Sequence, residues 1–251
     1  MSAGALGDPA TLAAVVLIMG LAAFAKGVTG LGFSTAALSF LALVVDVRLA
    51  IPLVILPSLA SNALVMARAG HLAEMAWRFR WLYAGAALGV GCGLVLLAST
   101  RDAVAGLVLG LVLLAYIAFA WRRPDLRLPA RLEAPLAPAV GLATGLINGW
   151  TGSQVMPVLP YLAALGLDPN RFVQAINLSF TLSSLIMAAG LARLGLLDGT
   201  ILAAGALCIL PVFVGVRLGT RLRDRLDPET FRRGVLVMLA ASAVLLVARG
   251  F

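Results

Sequence analysis

The chain has 251 residues, of which 62% are hydrophobic and only 12% are charged. Soluble domains carry about 25% charged residues, so this composition excludes an ordinary water-soluble fold. One bilayer crossing takes about 20 apolar residues, which leaves room for about eight to ten crossings and no sizeable domain outside the membrane. The formal charge of +8 comes from residues between apolar runs, which indicates a role in membrane topology rather than nucleic-acid binding.

Ten apolar runs form two sets of five, one in residues 1–121 and one in residues 136–251, joined by a basic polar linker at 122–135. The sequence therefore predicts an all-α polytopic membrane protein with two repeats. The candidate spans are 10–26, 31–45, 49–67, 81–98, 102–121, 136–148, 153–167, 172–192, 199–217 and 231–248.

Two pairs of runs, 10–26 with 31–45 and 136–148 with 153–167, are short and joined by glycine-rich breaks. Helices of about 13 to 17 residues reach about 20–26 Å, less than a 30 Å hydrocarbon core. We expect broken or re-entrant helices whose tips end inside the membrane.

The two breaks align with each other when Gly27-Val-Thr-Gly30 is written over Gly149-Trp-Thr-Gly152, an offset of 122 residues. The same offset pairs Asp46 with Asp168 and Ser61 with Ser183. The repeated order of features predicts a tandem duplication, a common origin of transporters.

The distribution of basic residues indicates whether each short pair begins and ends on the same side of the membrane. If each pair enters and leaves on one side, or crosses twice, 14 arginines fall on one side and 4 on the other. This split predicts a cytoplasmic side with the basic loops, both termini outside, and two halves of inverted orientation. The larger group is Arg68, Arg78, Arg80, Arg122, Arg123, Arg127, Arg131, Arg171, Arg217, Arg221, Arg223, Arg225, Arg232 and Arg233; the smaller is Arg48, Arg101, Arg193 and Arg249.

Two further patterns concern packing and the membrane surface. Residues 74–81, with two Trp and two Arg, predict an interfacial helix, with a partner-binding surface as the alternative. Glycines that recur every four residues predict a close helix crossing. They are Gly85, Gly89 and Gly93 in one run and Gly141, Gly145 and Gly149 in another.

The breaks mark the predicted substrate cavity, because non-helical backbone at membrane depth is tolerated only in protein or beside a wet cavity. A helix is expected to start after each break, near Leu31 and Ser153. Its first turn exposes free N–H groups and a positive dipole end, which suit an anion. The candidate residues of the breaks are Lys26, Gly27, Thr29, Gly30, Gly32, Ser34, Asn148, Gly149, Thr151, Gly152, Ser153 and Gln154.

Lys26 is the only lysine in the chain and lies in an apolar stretch. A cation inside the bilayer must be paired or face water, and a bound anion would be a suitable partner. The alternative is that Lys26 reaches the interface or bonds carbonyls of the break. Its repeat partner is the neutral Asn148, so the two halves cannot contribute equally.

The helices that follow the breaks carry further polar residues, of which Asn62 and Asn177 are the strongest candidates because a buried carboxamide needs several partners. Thr181 is a weaker one, since hydroxyls in such helices also serve as helix–helix contacts. We expect Asp46 and Asp168 to cap helices rather than relay protons.

The sequence contains no motif of an enzyme. It lacks a P-loop and an H-E-x-x-H pair, and His71 is its only histidine. Cys92 and Cys208 lie singly in apolar runs, which predicts packing residues rather than metal ligands or a disulfide. No cofactor is expected, and the absence of a basic segment before the first run argues against a cleaved signal peptide.

The breaks Lys26-Gly-Val-Thr-Gly-Leu-Gly-Phe-Ser34 and Asn148-Gly-Trp-Thr-Gly-Ser153, the repeat, the basic linker and Asn177-Leu-Ser-Phe-Thr181 together resemble the TauE/SafE group of sulfite exporters, the TSUP permeases. The resemblance covers nearly the full length and implies secondary transport, often export, of sulfite, organosulfonates or related small anions.

The sequence thus favours a secondary carrier in the plasma membrane that binds a small oxyanion between the two breaks and works by alternating access. Coupling to a proton or another ion is open, as is the oligomeric state. The alternatives are an anion channel and a non-transporting scaffold subunit; paired breaks favour a carrier, because a scaffold does not need them.

Overall fold

The computed structural model describes residues 8–29, 32–122, 127–222 and 228–249. Within these residues the chain forms twelve helices and no strand. The helices are α1 (Pro9–Thr29), α2 (Phe33–Val44), α3 (Val47–Ala69), α4 (Leu72–Arg78), α5 (Arg80–Ser99), α6 (Asp102–Arg122), α7 (Ala130–Thr151), α8 (Val158–Ala164), α9 (Pro169–Arg193), α10 (Gly199–Leu207), α11 (Ile209–Leu222) and α12 (Pro228–Arg249).

Six stretches of the described residues are long and apolar enough to cross a bilayer. α2 and Leu239–Ala248 are apolar but shorter, so the expected total of eight to ten crossings stays a prediction. α10 and α11 form one such stretch with a turn at Cys208, and Pro211 lies in the first turn of α11, where its missing N–H costs no helical hydrogen bond. The six stretches are Pro9–Val28, Val47–Ala69, Arg80–Ser99, Asp102–Arg122, Pro169–Arg193 and Gly199–Leu222.

The first member of each glycine-broken pair is longer than the sequence indicated. α1 has 21 residues and α7 has 22, so the expected short helices 10–26 and 136–148 are wrong. The reason lies in Gly27 and Gly149, which stay helical. A Cβ at Gly27 would lie 2.4 Å from the carbonyl oxygen of Val216, and one at Gly149 would lie 2.4 Å from that of Val90. These glycines permit close helix packing, and the helices continue past them.

The second members are short: α2 has 12 residues and α8 has 7. α8 begins at Val158, so the expected helix start at Ser153 is wrong. The helix follows Pro157, which has no N–H to donate and therefore suits a helix start. Between the helices, Gly152 ends α7 with φ 76° and Gly32 precedes α2 with φ 86°. Only glycine adopts such angles without strain, so these two residues fix the backbone breaks.

Two pairs of helices cross at glycines. Along α5 and α7, each of the six predicted glycines faces partner backbone, and a Cβ on any of them would come within 2.0–2.4 Å of a carbonyl oxygen. α1 and α11 make a second crossing of this kind, at Gly27, Gly215 and Gly219. α3 and α9 also pack against each other; α9 contacts α5 and α3 contacts α11, while α6 packs against α12. The polar residues of α3 and α9 are thereby held together inside the bundle.

The ion pairs mark the two ends of the bundle. At the end that we call the basic end, where the last turn of α3 carries Arg68, Arg78 pairs with Glu133 and Arg171 pairs with Glu74. At the opposite end, where α3 begins, Arg48 pairs with Asp102 and donates to the carbonyls of Leu97 and Thr100. Asp168 caps α9, as expected, by accepting the N–H groups of Asn170 and Arg171.

Candidate functional site

Lys26 lies in the last turn of α1 and is only 3% exposed. Its Nζ donates hydrogen bonds to Asn62 Oδ1 at 2.7 Å, Ser61 Oγ at 3.0 Å and Asn177 Oδ1 at 3.4 Å. These partners come from α3 and α9, and all three are neutral. No carboxylate among the described residues pairs with Lys26. The protein therefore solvates this ammonium with dipoles and leaves its charge uncompensated.

The two asparagines use their amide nitrogens differently. Asn177 Nδ2 donates within its own helix to the carbonyl of Val173. Asn62 Nδ2 is buried and has no hydrogen-bond partner among the described residues. Thr181 bonds back to the carbonyl of Asn177, so its hydroxyl is used within α9 and it lines none of the cavities described below.

The second break contributes buried polar atoms close to the first. Gln154 Nε2 donates to Ser184 Oγ at 3.0 Å, and Thr151 Oγ1 donates to the carbonyl of Ile147 and accepts the N–H of Ser153. Both side-chain polar atoms of Asn148, Ser153 Oγ and Gln154 Oε1 have no partner among the described residues. Buried polar groups are normally hydrogen-bonded, so this cluster has spare capacity to bind a polar ligand.

Two small cavities join the breaks. One of about 10 Å³ is lined by residues from both breaks and by Lys26. The other, of about 20 Å³, shares Ser34 and Gln154 with it and extends to Ser58 and Ser184. Ser34 and Ser58 bond each other at 2.9 Å. Together the two cavities are lined by eight of the predicted site residues: Lys26, Gly32, Ser34, Asn62, Asn148, Gly152, Gln154 and Asn177.

The other predicted residues that the structure describes have different roles. Gly27 and Gly149 serve the helix crossings, and Thr151 and Ser153 are fully buried in the second break. Gly30 and the side chain of Thr29 lie outside the described residues.

A larger cavity of about 280 Å³ leads from Lys26 to the basic end. Lys26 is buried at its base, whereas Arg68, Asn170, Arg217 and Thr220 are exposed at its mouth. The guanidinium of Arg217 lies 4.8 Å from the centre of the Phe213 ring, which also lines the cavity. Three cations line it, and no acidic residue of the described chain does. The cavity therefore carries positive charge from mouth to base.

The family model of the sulfite exporter TauE/SafE matches residues 15–246. The chain belongs to the TauE/SafE family. Neither the curated proteins nor the solved structures that were compared contain a match. TauE/SafE proteins are membrane transporters, so this TauE/SafE protein is a multi-pass integral membrane protein with a small-molecule substrate. The resemblance in the motifs is confirmed over nearly the whole chain.

Sequence reasoning assigned Arg68 and Arg217 of this TauE/SafE protein to topology and missed their place in the cavity. A signal was present in α11. Phe213, Val216, Arg217 and Thr220 follow the spacing of one helix face, and all four line the cavity. An arginine on the same face as buried apolar residues could have been recognised as part of a site.

Proposed function

We propose that this TauE/SafE protein is a secondary carrier that exports a small oxyanion, such as sulfite or an organosulfonate, from the cytoplasm by alternating access. One observation carries the proposal. Lys26 is buried with three neutral partners where both backbone breaks meet, at the base of a positively lined cavity.

Charge argues for an anion. A cation deep in a bilayer costs between about 3 and 10 kcal/mol unless it is compensated, and the described partners of Lys26 bring dipoles but no negative charge. An ammonium has three hydrogens, and here they go to Ser61, Asn62 and Asn177. The bond to Asn177 is the longest at 3.4 Å, so a bound oxyanion oxygen would replace it most readily. Asn62 Nδ2 offers a further donor beside it.

The cavity sizes argue for a carrier over a channel. On one side of Lys26 the 280 Å³ cavity leads to the basic end. On the other side the two cavities of about 10 and 20 Å³ have room for about one water each, too little for an oxyanion. A channel needs one continuous path, whereas a carrier exposes its site to one side at a time.

Internal symmetry supports the rocking motion that alternating access requires. Helices α1 to α3 and α7 to α9 have the same order, with the break at the same place in each set. In the glycine crossing of α1 with α11, a Cβ on a facing glycine would come within 2.3–2.5 Å of a carbonyl oxygen, as close as in the crossing of α7 with α5. Two inverted five-segment repeats would produce this correspondence.

The arginine distribution gives the proposed orientation. The basic end would face the cytoplasm by the positive-inside rule, with both termini outside. The cavity above Lys26 would then load from the cytoplasm, which suits export. The substrate gradient, a proton or another ion would drive the cycle.

Flux through purified protein in liposomes tests the proposal. Wild-type protein should take up radiolabelled sulfite, and unlabelled sulfite inside the vesicles should accelerate that uptake. The uptake rate of the Lys26→Met variant should be at least thirty-fold lower. Loss of a buried charged contact costs about 2 kcal/mol or more, which corresponds to about thirty-fold. Leu17→Met is the matched control, because Leu17 lies in the same helix and is 63% exposed on its outer face.

Each alternative has its own result. A channel passes anion current without acceleration by internal sulfite, and a scaffold moves none of the anions. Unchanged flux in a folded Lys26→Met variant would remove Lys26 from the mechanism and contradict the proposal.

A further inference from the structure

We propose that Arg68 and Arg217 form a second anion-binding site at the mouth of the cavity, which takes the anion before it reaches Lys26. The inference rests on the proposed function and adds to it a second site in series with the first.

The first argument is that both arginines line one cavity and neither has an acidic partner within the described part of the chain. Arg48, Arg78 and Arg171 each form an ion pair with a carboxylate. Arg68 and Arg217 form no such pair with any described residue, although both line one cavity. Two guanidinium groups that face the same space repel each other, and a shared anion removes that repulsion.

The second argument is orientation. The guanidinium of Arg217 lies over the ring of Phe213, a contact that restricts its position while leaving its N–H groups available to bind. Arg68 lies across the cavity on α3. The anion would therefore bind between the guanidinium of Arg217, whose position the Phe213 ring restricts, and that of Arg68 on the opposite wall.

The third argument is the separation from Lys26. Asn62 accepts the shortest hydrogen bond from Lys26. Arg68 lies six residues after Asn62 on α3, which is about 9 Å along the helix axis. Charge-assisted hydrogen bonds span only about 2.7–2.9 Å. We therefore place the anion bound by the two arginines and the anion bound at Lys26 at two sites in series.

The chemistry of the site defines its ligand class. A guanidinium binds two oxygens of a carboxylate, sulfonate or phosphate group through parallel N–H groups. The cavity of about 280 Å³ lies below the range of about 300–1,000 Å³ that is typical of drug-sized ligands. A small oxyanion fits within this volume. Two cations also attract a dianion more strongly than a monoanion.

Transport kinetics with loading from the basic end test the inference. Arg68→Gln and Arg217→Gln should each raise KM for sulfite about two- to fivefold, with kcat unchanged. This is the upper part of the range of about 0.2–1 kcal/mol for exposed charge pairs. The double variant should combine the two effects and lose the salt dependence of KM. KM for loading from the opposite end should not change.

Arg221→Gln is the matched control, because Arg221 lies one turn further along α11 at the same end but does not line the cavity. It should leave KM unchanged. An equal rise in Arg221→Gln would mean a general surface potential rather than a site. An unchanged KM in the double arginine variant would also overturn the inference.

A binding measurement separates this inference from the proposed function. In Lys26→Met, sodium sulfite should still raise the unfolding temperature, compared with sodium chloride of equal ionic strength. This effect should vanish when Arg68→Gln and Arg217→Gln are added. If the wild type transports no sulfite but this binding pattern holds, the carrier proposal fails and the mouth site stands. If Lys26→Met binds no sulfite while the wild type transports it, the carrier stands and the mouth site is refuted.

Discussion

The glycine crossing of α5 and α7 provides a test with an internal control. Gly89 faces α7, and a Cβ there would lie 2.2 Å from the carbonyl oxygen of Leu142 and 2.7 Å from the amide nitrogen of Leu146. A Cβ at Gly91, two residues along the same helix, would have nothing within 4 Å of it. Ordinary contacts begin at 3.4 Å, so Gly89→Ala must separate the two backbones by about 1 Å, beyond what a close-packed interface absorbs.

The two substitutions should change the free energy of unfolding differently. Overpacking costs about 1–3 kcal/mol, and a clash with backbone cannot be relieved by turning a side chain. Gly89→Ala should therefore lower the free energy of unfolding by about 1–3 kcal/mol or more. Gly91→Ala meets no neighbour and gains helix propensity, so it should be neutral or stabilising by up to about 1 kcal/mol.

Unfolding of the purified protein in mixed detergent and denaturant measures both variants. The fluorescence of Trp150 in α7, beside the crossing, reports the separation of the helices. A Gly89→Ala variant within about 0.5 kcal/mol of wild type would refute the reasoning, and so would equal losses in the two variants, because the geometry makes the positions differ.

Two further predictions concern charge. Asn62→Asp places a carboxylate where Asn62 Oδ1 now lies 2.7 Å from Lys26 Nζ. The resulting fixed ion pair should replace the bound anion and reduce sulfite flux as severely as Lys26→Met, while the variant remains folded. Normal flux in this variant would contradict the proposed role of Lys26 as an uncompensated cation. At the basic end, the hydrogen bond from Arg171 holds the pKa of the Glu74 carboxyl below its usual value of about 4.3. Its stabilisation is therefore present above that value and is lost as the pH falls through the lowered pKa. Glu74→Gln should lower the unfolding temperature near neutral pH, and this difference should disappear in acid once the pH lies below the lowered pKa; a difference that persists in strong acid would refute the pairing.

The sequence was most informative where one residue type has few explanations. A single lysine in an apolar run predicted a polar centre, and α3 and α9 bring Asn62 and Asn177 to it. The glycine rows predicted the crossing of α5 with α7, which is confirmed.

The helix ends were harder to predict. Glycine has two opposite uses, close packing and positive φ, and only the tertiary contacts distinguish them. The sequence predicts breaks at Gly27 and Gly149, but both pack against a partner helix, whereas Gly32 and Gly152 have the positive φ angles. The cavity arginines were missed for a similar reason, because an arginine near a helix end satisfies the topology rule whether or not it lines a site.

The asymmetry between the two halves bears on the proposed direction of transport. At the offset of 122 residues, Lys26 corresponds to Asn148 and Arg68 corresponds to Gly190. The side chain of Leu94 packs directly on Gly190, so apolar contact occupies the place where the first half has a charged mouth. In an alternating-access cycle, the anion on the basic side would meet the positive charges of Lys26 and Arg68. On the other side, the corresponding residues Asn148 and Gly190 carry no charge. Attraction would then favour capture at the basic end and release at the opposite end. Gly190→Arg should weaken this asymmetry by retaining the anion at the exit, and it should lower kcat for export more than it raises KM at the basic end.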